Sequence, residues 1–238
     1  MRCSLHGRIV EANDVCSCSP RKTLLKAEPG NLRITANPIG VVVEGSPDSP
    51  DGRVVDSKPA SGGRSHSKVD RDGTFTVELS GQLHKGRANE ARVLKVLLQA
   101  LRNRGVAAGA LVGGQDHRGE DALVDLEGRR IAVQVVTVPV DPSLWRHLSA
   151  KGIAIKSGTL GDAVQMIREA LNHKAPSNGM LLVLDVSHLS AIVGPKLVAA
   201  YHEAYGDLSR EFSFHSVWLV GPTARSVYQL GTPGTTAV

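Results

Sequence analysis

Residues 120–138 read EDALVDLEGRRIAVQVVTV, the most informative pattern for the architecture of this chain. Two apolar runs, 121–126 and 131–138, are separated by a turn-forming glycine between charged residues, which predicts two short β-strands. Asp121 opens the first run, and Gln134 lies in the middle of the second. An amide inside a central strand needs a hydrogen-bond partner. We therefore consider Gln134 a candidate functional residue.

An amphipathic helix is predicted upstream, over residues 87–104. Its apolar residues recur at helical spacing on one face, namely Val93, Leu94, Leu97, Leu98 and Leu101. Glu90 lies on the same stripe, whereas Arg92, Lys95 and Arg102 fall on the opposite face. A carboxylate that faces a core is costly unless a partner pairs with it, which makes Glu90 a candidate functional residue. The alternative is a first-turn glutamate that is stabilised by the helix dipole and paired with Arg87.

Helices and strands alternate through the rest of this half of the chain. The predicted elements are a strand at 106–112, a helix that opens at Asp141-Pro142, a helix at 160–174, a strand at 180–186, a helix at 195–208, a strand at 214–220 and an edge strand at 226–230. Only 3% of residues are aromatic, so the core must consist of aliphatic side chains. We expect an α/β fold with a mixed sheet flanked by helices on both faces.

The amino-terminal residues suggest a small metal site. Cys3 and His6 form one pair, and Cys16 and Cys18 form a second, as in the two knuckles that deliver four ligands to zinc. A structural Zn²⁺ in a ribbon-like module over residues 1–44 is therefore predicted. The single residue between Cys16 and Cys18 departs from the usual two-residue spacing, so incidental cysteines remain the open alternative.

The next segment, 45–73, is rich in Ser, Pro, Gly and Asp and has few apolar residues. Such a composition offers little surface to offset chain entropy, which predicts a flexible linker. The expected organisation is thus a small module at 1–44, a linker at 45–73 and an α/β domain at 74–238.

The charge of the chain is unevenly distributed. The formal net charge is +5, and residues 81–158 alone hold 12 Lys and Arg against 7 Asp and Glu. A local basic surplus attracts polyanions, of which nucleic acid is the commonest, although a solvated helix face would have the same composition. No run of apolar residues is long enough for a membrane span or a signal peptide, so we expect a cytoplasmic protein that does not contact a membrane.

The order of these elements resembles the restriction-endonuclease-like fold, the PD-(D/E)xK nuclease superfamily, over about residues 81–230. The resemblance assigns Glu90 to the acid of the first helix, Asp121 to the strand aspartate and Gln134 to the third ligand. In active members such groups hold Mg²⁺ for phosphodiester hydrolysis. The lysine that completes the motif is replaced here by Val136.

The resemblance implies three alternative functions. The favoured one is a catalytically impaired nucleic-acid-binding protein. The second is an active Mg²⁺-dependent nuclease in which Lys151 or Lys156 replaces the missing lysine. The third is a non-enzymatic protein-binding scaffold in a larger assembly. Nucleases of this fold often dimerise, so the resemblance also allows a homodimer. The residues expected to contact DNA or RNA are Arg87, Arg92, Lys95, Arg102 and Arg118.

Overall fold

The computed structural model of the 238-residue chain describes residues 32–37, 40–45, 53–58, 62–70, 72–83, 87–113, 119–139, 141–174, 179–208 and 212–231. The chain divides into two compact units, 1–32 and 33–238. Apart from the first residue of the first strand, every element described below belongs to the second unit. The candidate zinc ligands Cys3, His6, Cys16 and Cys18 lie outside the described residues, and the zinc site remains a prediction.

The described elements are twelve strands, four α-helices and one short 3-10 turn. The strands are β1 (Leu32–Asn37), β2 (Gly40–Gly45), β3 (Arg53–Ser57), β4 (Gly62–Val69), β5 (Phe75–Leu83), β6 (Ala108–Gly113), β7 (Ala122–Leu126), β8 (Arg129–Thr137), β9 (Ile153–Gly158), β10 (Leu181–Asp185), β11 (Ser216–Val220) and β12 (Val227–Gly231). The helices are α1 (Arg87–Asn103), α2 (Pro142–Lys151), α3 (Leu160–His173) and α4 (Pro195–Tyr205), and the 3-10 turn is Ser187–Leu189. In the part of the chain that is described, no helix is long and apolar enough to cross a membrane.

One sheet, which we call the mixed sheet, has the strand order β12-β11-β10-β8-β7-β6. β6, β7 and β8 pair antiparallel, β8, β10 and β11 pair parallel, and β12 returns antiparallel. β10 is buried along its whole length, as expected for a parallel strand covered on both faces. The predicted α/β architecture with a mixed sheet is thus confirmed.

Helix α1 covers one face of the mixed sheet. Its inner stripe, including Leu94, Leu97 and Leu101, is buried against a cluster that contains Val133 and Val183 of the sheet. The predicted helix at 87–104 is confirmed to within one residue. Because side chains of a strand alternate between its two faces, the strand residues on either side of Val133 and Val183 point away from α1.

The opposite face of the mixed sheet packs into a larger cluster. Val136, Leu182 and Leu184 contact this cluster, to which α3 contributes Ile167 and α4 contributes Leu197. Helices therefore flank both faces of the sheet, as the alternation of elements predicted. Helix α2 also begins where expected, because the Asp141 carboxylate accepts a hydrogen bond from the Ser143 backbone amide and Pro142 occupies the first turn.

The second sheet has the strand order β1-β2-β3-β4-β5-β9. This arrangement corrects the expectation of a flexible linker at 45–73, because β3 and β4 lie inside that segment. The same sheet joins strands from all three segments that the sequence separated. The physical reason is that the inward side chains Ser65 and Ser67 are buried but donate hydrogen bonds to the main chain, so few apolar residues are needed.

Strand β9 was not predicted from the sequence. It lies between α2 and α3, inside the connection that links the parallel strands β8 and β10 of the mixed sheet, yet it pairs with β5 of the second sheet. Phe75, Val77 and Leu79 of β5 belong to the same cluster as Leu182 and Leu184 of β10. The two sheets therefore share one core.

Candidate functional site

Asp121, the predicted strand aspartate, lies directly before β7. Its Oδ2 accepts a hydrogen bond of 2.7 Å from the backbone amide of Val135, and its own amide donates to the Val133 carbonyl at 2.9 Å. The carboxylate thus continues the β7–β8 ladder by one step after the strand has ended. An oxygen committed to a backbone amide is less available to a metal ion.

Gln134 is only 6% exposed, so its side-chain amide needs a hydrogen-bond partner within the protein. Its Nε2 donates to the carbonyl of Gly119. Gly119 has φ +74°, a left-handed conformation that favours glycine at this position. Gln134 therefore holds the turn that leads into β7.

The structure brings Asp121 and Gln134 together. The β7–β8 register pairs Ala122 with Val133. Asp121, which precedes β7, therefore lies opposite Gln134 of β8. Strand alternation places Gln134 on the face opposite Val133, whose side chain packs in the α1 layer. Glu90 is half-buried in the first turn of α1, the helix that covers that other face. The three predicted ligands are thus divided between two layers.

At the position where the family motif has a lysine, both the side chain and its surroundings are apolar. Val136 lies on the same face of β8 as Gln134, is 6% exposed and packs in the larger core cluster. Lys156 interacts with Asp141 at 3.4 Å, and Lys151 is an exposed residue at the end of α2. Both lysines that the sequence offered as replacements therefore lie at α2 and β9.

Among the described residues the predicted Mg²⁺ site is incomplete. Asp121 and Gln134 contact main-chain groups, and Glu90 belongs to the helix on the other side of the sheet. Across the described residues, no group of three or more His, Cys, Asp or Glu side chains could hold a metal ion. Mg²⁺ is commonly bound through one or two carboxylates and several waters, and its site in this chain stays a prediction.

The outer face of α1 is basic and open to solvent. Arg92 and Lys95 are exposed, and among the described residues neither forms an ion pair. Arg102 continues this face and is also exposed, while its guanidinium donates to the carbonyls of Ala108 and Gly109. The side chain of Arg87 and the whole of Arg118 lie outside the described residues, so their predicted contacts stay untested.

A buried polar cluster that we did not predict from the sequence lies where β10 ends. Asp185 is 1% exposed, and its Oδ1 accepts hydrogen bonds from the amide of Ser187 at 3.1 Å and from its hydroxyl at 2.5 Å. Its Oδ2 has no hydrogen-bond partner among the described residues. Burial raises the pKa of Asp185 to about 6 because a charge is poorly solvated there.

The neighbouring His188 is equally buried. Burial lowers the pKa of His188 to about 3, so the ring is neutral at physiological pH. The ring packs edge-on against Trp145, with 5.1 Å between centroids. A signal for this cluster was present in the sequence, since an aspartate ends the otherwise aliphatic run of β10.

Serine hydroxyls of the second sheet close over this turn. Ser65 and Ser67 each donate to the carbonyl of His188 at 3.2 Å, and the Ser190 hydroxyl donates to that of Ser67 at 3.3 Å. In open α/β sheets the carboxyl ends of parallel strands commonly form the ligand site. Here those ends are covered, so the cluster is an internal contact and not an open cleft.

No protein-family model matches this sequence, and no curated protein and no solved structure shows significant similarity to it. Any assignment of function rests on the residues and geometry of this chain.

Proposed function

We propose that this chain is a nucleic-acid-binding protein with a restriction-endonuclease-like core that does not cleave its ligand. The observation that carries the proposal is the outer face of α1, where Arg92 and Lys95 are exposed and have no ion-pair partner among the described residues. No acidic residue interrupts that face between Arg92 and Arg102. Cations without acidic partners attract phosphates and release counterions on binding.

The geometry of this basic face suits a phosphate backbone. Arg92, Lys95 and Arg102 are separated by three and seven residues, so at a rise of about 1.5 Å per residue they span about 15 Å along the helix. Arg102 is oriented by the carbonyls of Ala108 and Gly109, which restricts the motion of its guanidinium. Ordered cations on a rigid helix lose less conformational entropy on binding than mobile ones.

The core supports the proposed family without supporting catalysis. A helix followed by three antiparallel strands and then a parallel strand is the order that the family resemblance implies. Asp121 and Gln134 are adjacent, as in a nuclease, but they hold the turn before β7. Val136 supplies no charge to orient an attacking water. A retained scaffold with a lost metal site explains all three features.

Fluorescence anisotropy with a labelled 20-base-pair DNA duplex, the RNA duplex of the same sequence and the single strands tests the proposal. We expect binding that weakens as salt is raised. The double variant Arg92→Glu/Lys95→Glu should bind at least about tenfold more weakly, because two phosphate contacts become repulsive. Arg146→Glu/Lys196→Glu is the matched control, since it changes the charge by the same amount at exposed cations of α2 and α4. Absence of binding at low salt, or equal losses in both double variants, would contradict the proposal.

A further inference from the structure

A groove of about 420 Å³ runs between helix α2 and strand β9. Leu144 and Ala154 form its buried floor, and Ile153 and Ile155 lie along its rim. Ile153 is 50% exposed and Ile155 is 61% exposed. Among the described residues the only other large apolar side chain with comparable exposure is Val112, which lies on β6 at the end of the mixed sheet.

Strand β9 is an open edge of the second sheet. It pairs with β5 in a regular antiparallel register from Ile153 to Gly158, and no second strand among the described residues pairs with its other side. Proteins usually protect such an edge with a bulge, a proline or an outward lysine. β9 has no bulge in this register and no proline, and its one lysine, Lys156, is held by Asp141 at 3.4 Å.

Two lysines and one aspartate line the groove, which gives it a formal charge of +1. His147 and Lys151 are exposed on the side of α2 that lines it, and Lys156 extends from β9. Asp141 is the one acid among the described lining residues. Hydrogen bonds from Ser143 hold the pKa of Asp141 at about 2, so this carboxylate is ionised and already interacts with Ser143 and Lys156. Lys151, which forms no ion pair among the described residues, favours an acidic ligand.

We propose that this groove binds an extended, acidic segment of a partner protein, which adds to β9 as a further strand of the second sheet. Main-chain hydrogen bonds to the open edge supply affinity, and alternate side chains of the segment supply specificity. Its apolar side chains cover Ile153 and Ile155, and its carboxylates approach Lys151 and His147. This surface is separate from the basic face of α1, so the inference does not depend on nucleic-acid binding.

Two other occupants fit the groove less well. Pairing of β9 with β9 of a second copy would bring the Lys151 side chains of both copies beside one shared edge, where like charges repel. Single-stranded nucleic acid is usually bound by cations together with aromatic side chains that stack on bases. The described lining residues include two exposed isoleucines and no Phe, Tyr or Trp.

Binding of a fluorescein-labelled heptapeptide of alternating glutamate and valine to the full chain tests the proposal. We expect saturable binding, and a peptide of alternating lysine and valine should bind at least about tenfold more weakly. Two versions of the glutamate peptide, each N-methylated on one of the two alternating sets of its backbone amides, show whether main-chain hydrogen bonds are used. The version methylated on the pairing edge should lose binding while the other keeps it.

Variants of the groove locate the binding. Ile155→Asp and Lys151→Glu should each weaken the glutamate peptide about fivefold or more, because they remove an apolar contact or reverse a charge. Arg146→Glu, an exposed cation of α2 that is not among the groove residues, should leave binding unchanged. All three positions are exposed, so far-UV circular dichroism should show the same fold for each variant.

Four outcomes would overturn the proposal. The first is no binding of the glutamate peptide at millimolar concentration, and the second is equal binding of the lysine peptide. The third is a wild-type dimer in sedimentation velocity that Ile155→Asp converts to a monomer, which would assign the edge to a second copy. The fourth is loss of single-stranded DNA binding in Lys151→Glu but not in Arg92→Glu, which would assign the groove to nucleic acid.

Discussion

The backbone amide of Val135 donates a hydrogen bond to the carboxylate of Asp121 over 2.7 Å, at the point where β7 no longer supplies a carbonyl to β8. A side chain thus replaces a strand residue in the ladder. This relationship gives a structural role to the residue that resembles a nuclease aspartate, and its energetic consequence can be measured.

Replacing Asp121 with alanine should destabilise the protein by about 1–3 kcal/mol, because the Val135 amide would lose its acceptor in a part-buried position. Asp121→Asn keeps an acceptor oxygen and should cost much less. Urea denaturation at neutral pH gives both values. Asp125→Ala is the matched control, since this carboxylate pairs with exposed Arg130 at the surface. Equal effects of Asp121→Ala and Asp121→Asn would show that the hydrogen bond contributes little.

Magnesium should neither stabilise the protein nor activate it. A site with a dissociation constant of 1 mM would raise the free energy of unfolding by about 1.4 kcal/mol at 10 mM Mg²⁺. We expect no resolvable change, because Asp121 and Gln134 contact the main chain and no ligand cluster exists among the described residues. Plasmid DNA and RNA incubated with the protein and Mg²⁺ or Mn²⁺ should stay intact. Cutting that Asp121→Asn abolishes would instead favour the hydrolase.

The pH dependence of stability should expose the buried pair Asp185 and His188. The raised pKa of Asp185, about 6, means that the folded protein holds this proton more tightly, so its contribution is present below about pH 4 and is lost as pH rises through 6. The lowered pKa of His188, about 3, has the opposite sign, so its contribution is present above about pH 6.5 and is lost as pH falls. The two slopes oppose one another between about pH 4 and 6.

Asp185→Asn removes only the first of these slopes. The stability of this variant should therefore rise with pH between 4 and 6, relative to wild type, by up to about 1.4 kcal/mol per pH unit. Denaturation midpoints measured at half-unit steps give the difference curve, and Asp125→Asn serves as the surface control. Parallel curves for Asp185→Asn and wild type would mean that Asp185 titrates in the folded protein as it does in the unfolded chain.

Removing the hydroxyls of Ser65 and Ser67 together should cost about 1–3 kcal/mol, because both donate to the buried carbonyl of His188. Each single alanine variant should cost less than half of the double change, since the remaining hydroxyl still satisfies that carbonyl. Ser157→Ala is the control, because the hydroxyl of this exposed serine hydrogen-bonds that of Thr76 across β5 and β9 at the surface. Additive single effects would show that the two hydrogen bonds act independently.

Helix α1 and the β7–β8 hairpin were predictable because their signals are local. The five-residue apolar stripe of α1 repeats at helical spacing, and the hairpin turn contains a glycine between two alternating runs. The adjacency of Asp121 and Gln134 follows from that hairpin. The layer of Glu90 did not follow, because a helical wheel shows that a side chain faces a sheet but not which face of the sheet the helix covers.

Strands β3, β4 and β9 were missed for a different reason. β9 pairs with β5 across more than seventy residues, whereas β3 and β4 pair with each other and β4 pairs with β5 over short separations, in a segment with few apolar residues. β4 reads GGRSHSKV, and its inward serines are satisfied by the carbonyl of His188, which no local pattern announces. The buried Asp185 cluster was not predicted for the same reason. Its burial depends on the contact between β4 and the turn at His188, which are distant in sequence.

The position of β9 inside the β8–β10 connection has a consequence for how the molecule comes apart. The crossover between β8 and β10 of the mixed sheet supplies the outermost strand of the second sheet, so one stretch of chain links the two. Proteolytic removal of the residues before Phe75 would leave β5 without its β4 partner. Because Phe75, Val77 and Leu79 of β5 pack in the cluster that α3 and α4 also join, we expect such a cut to destabilise the mixed sheet as well.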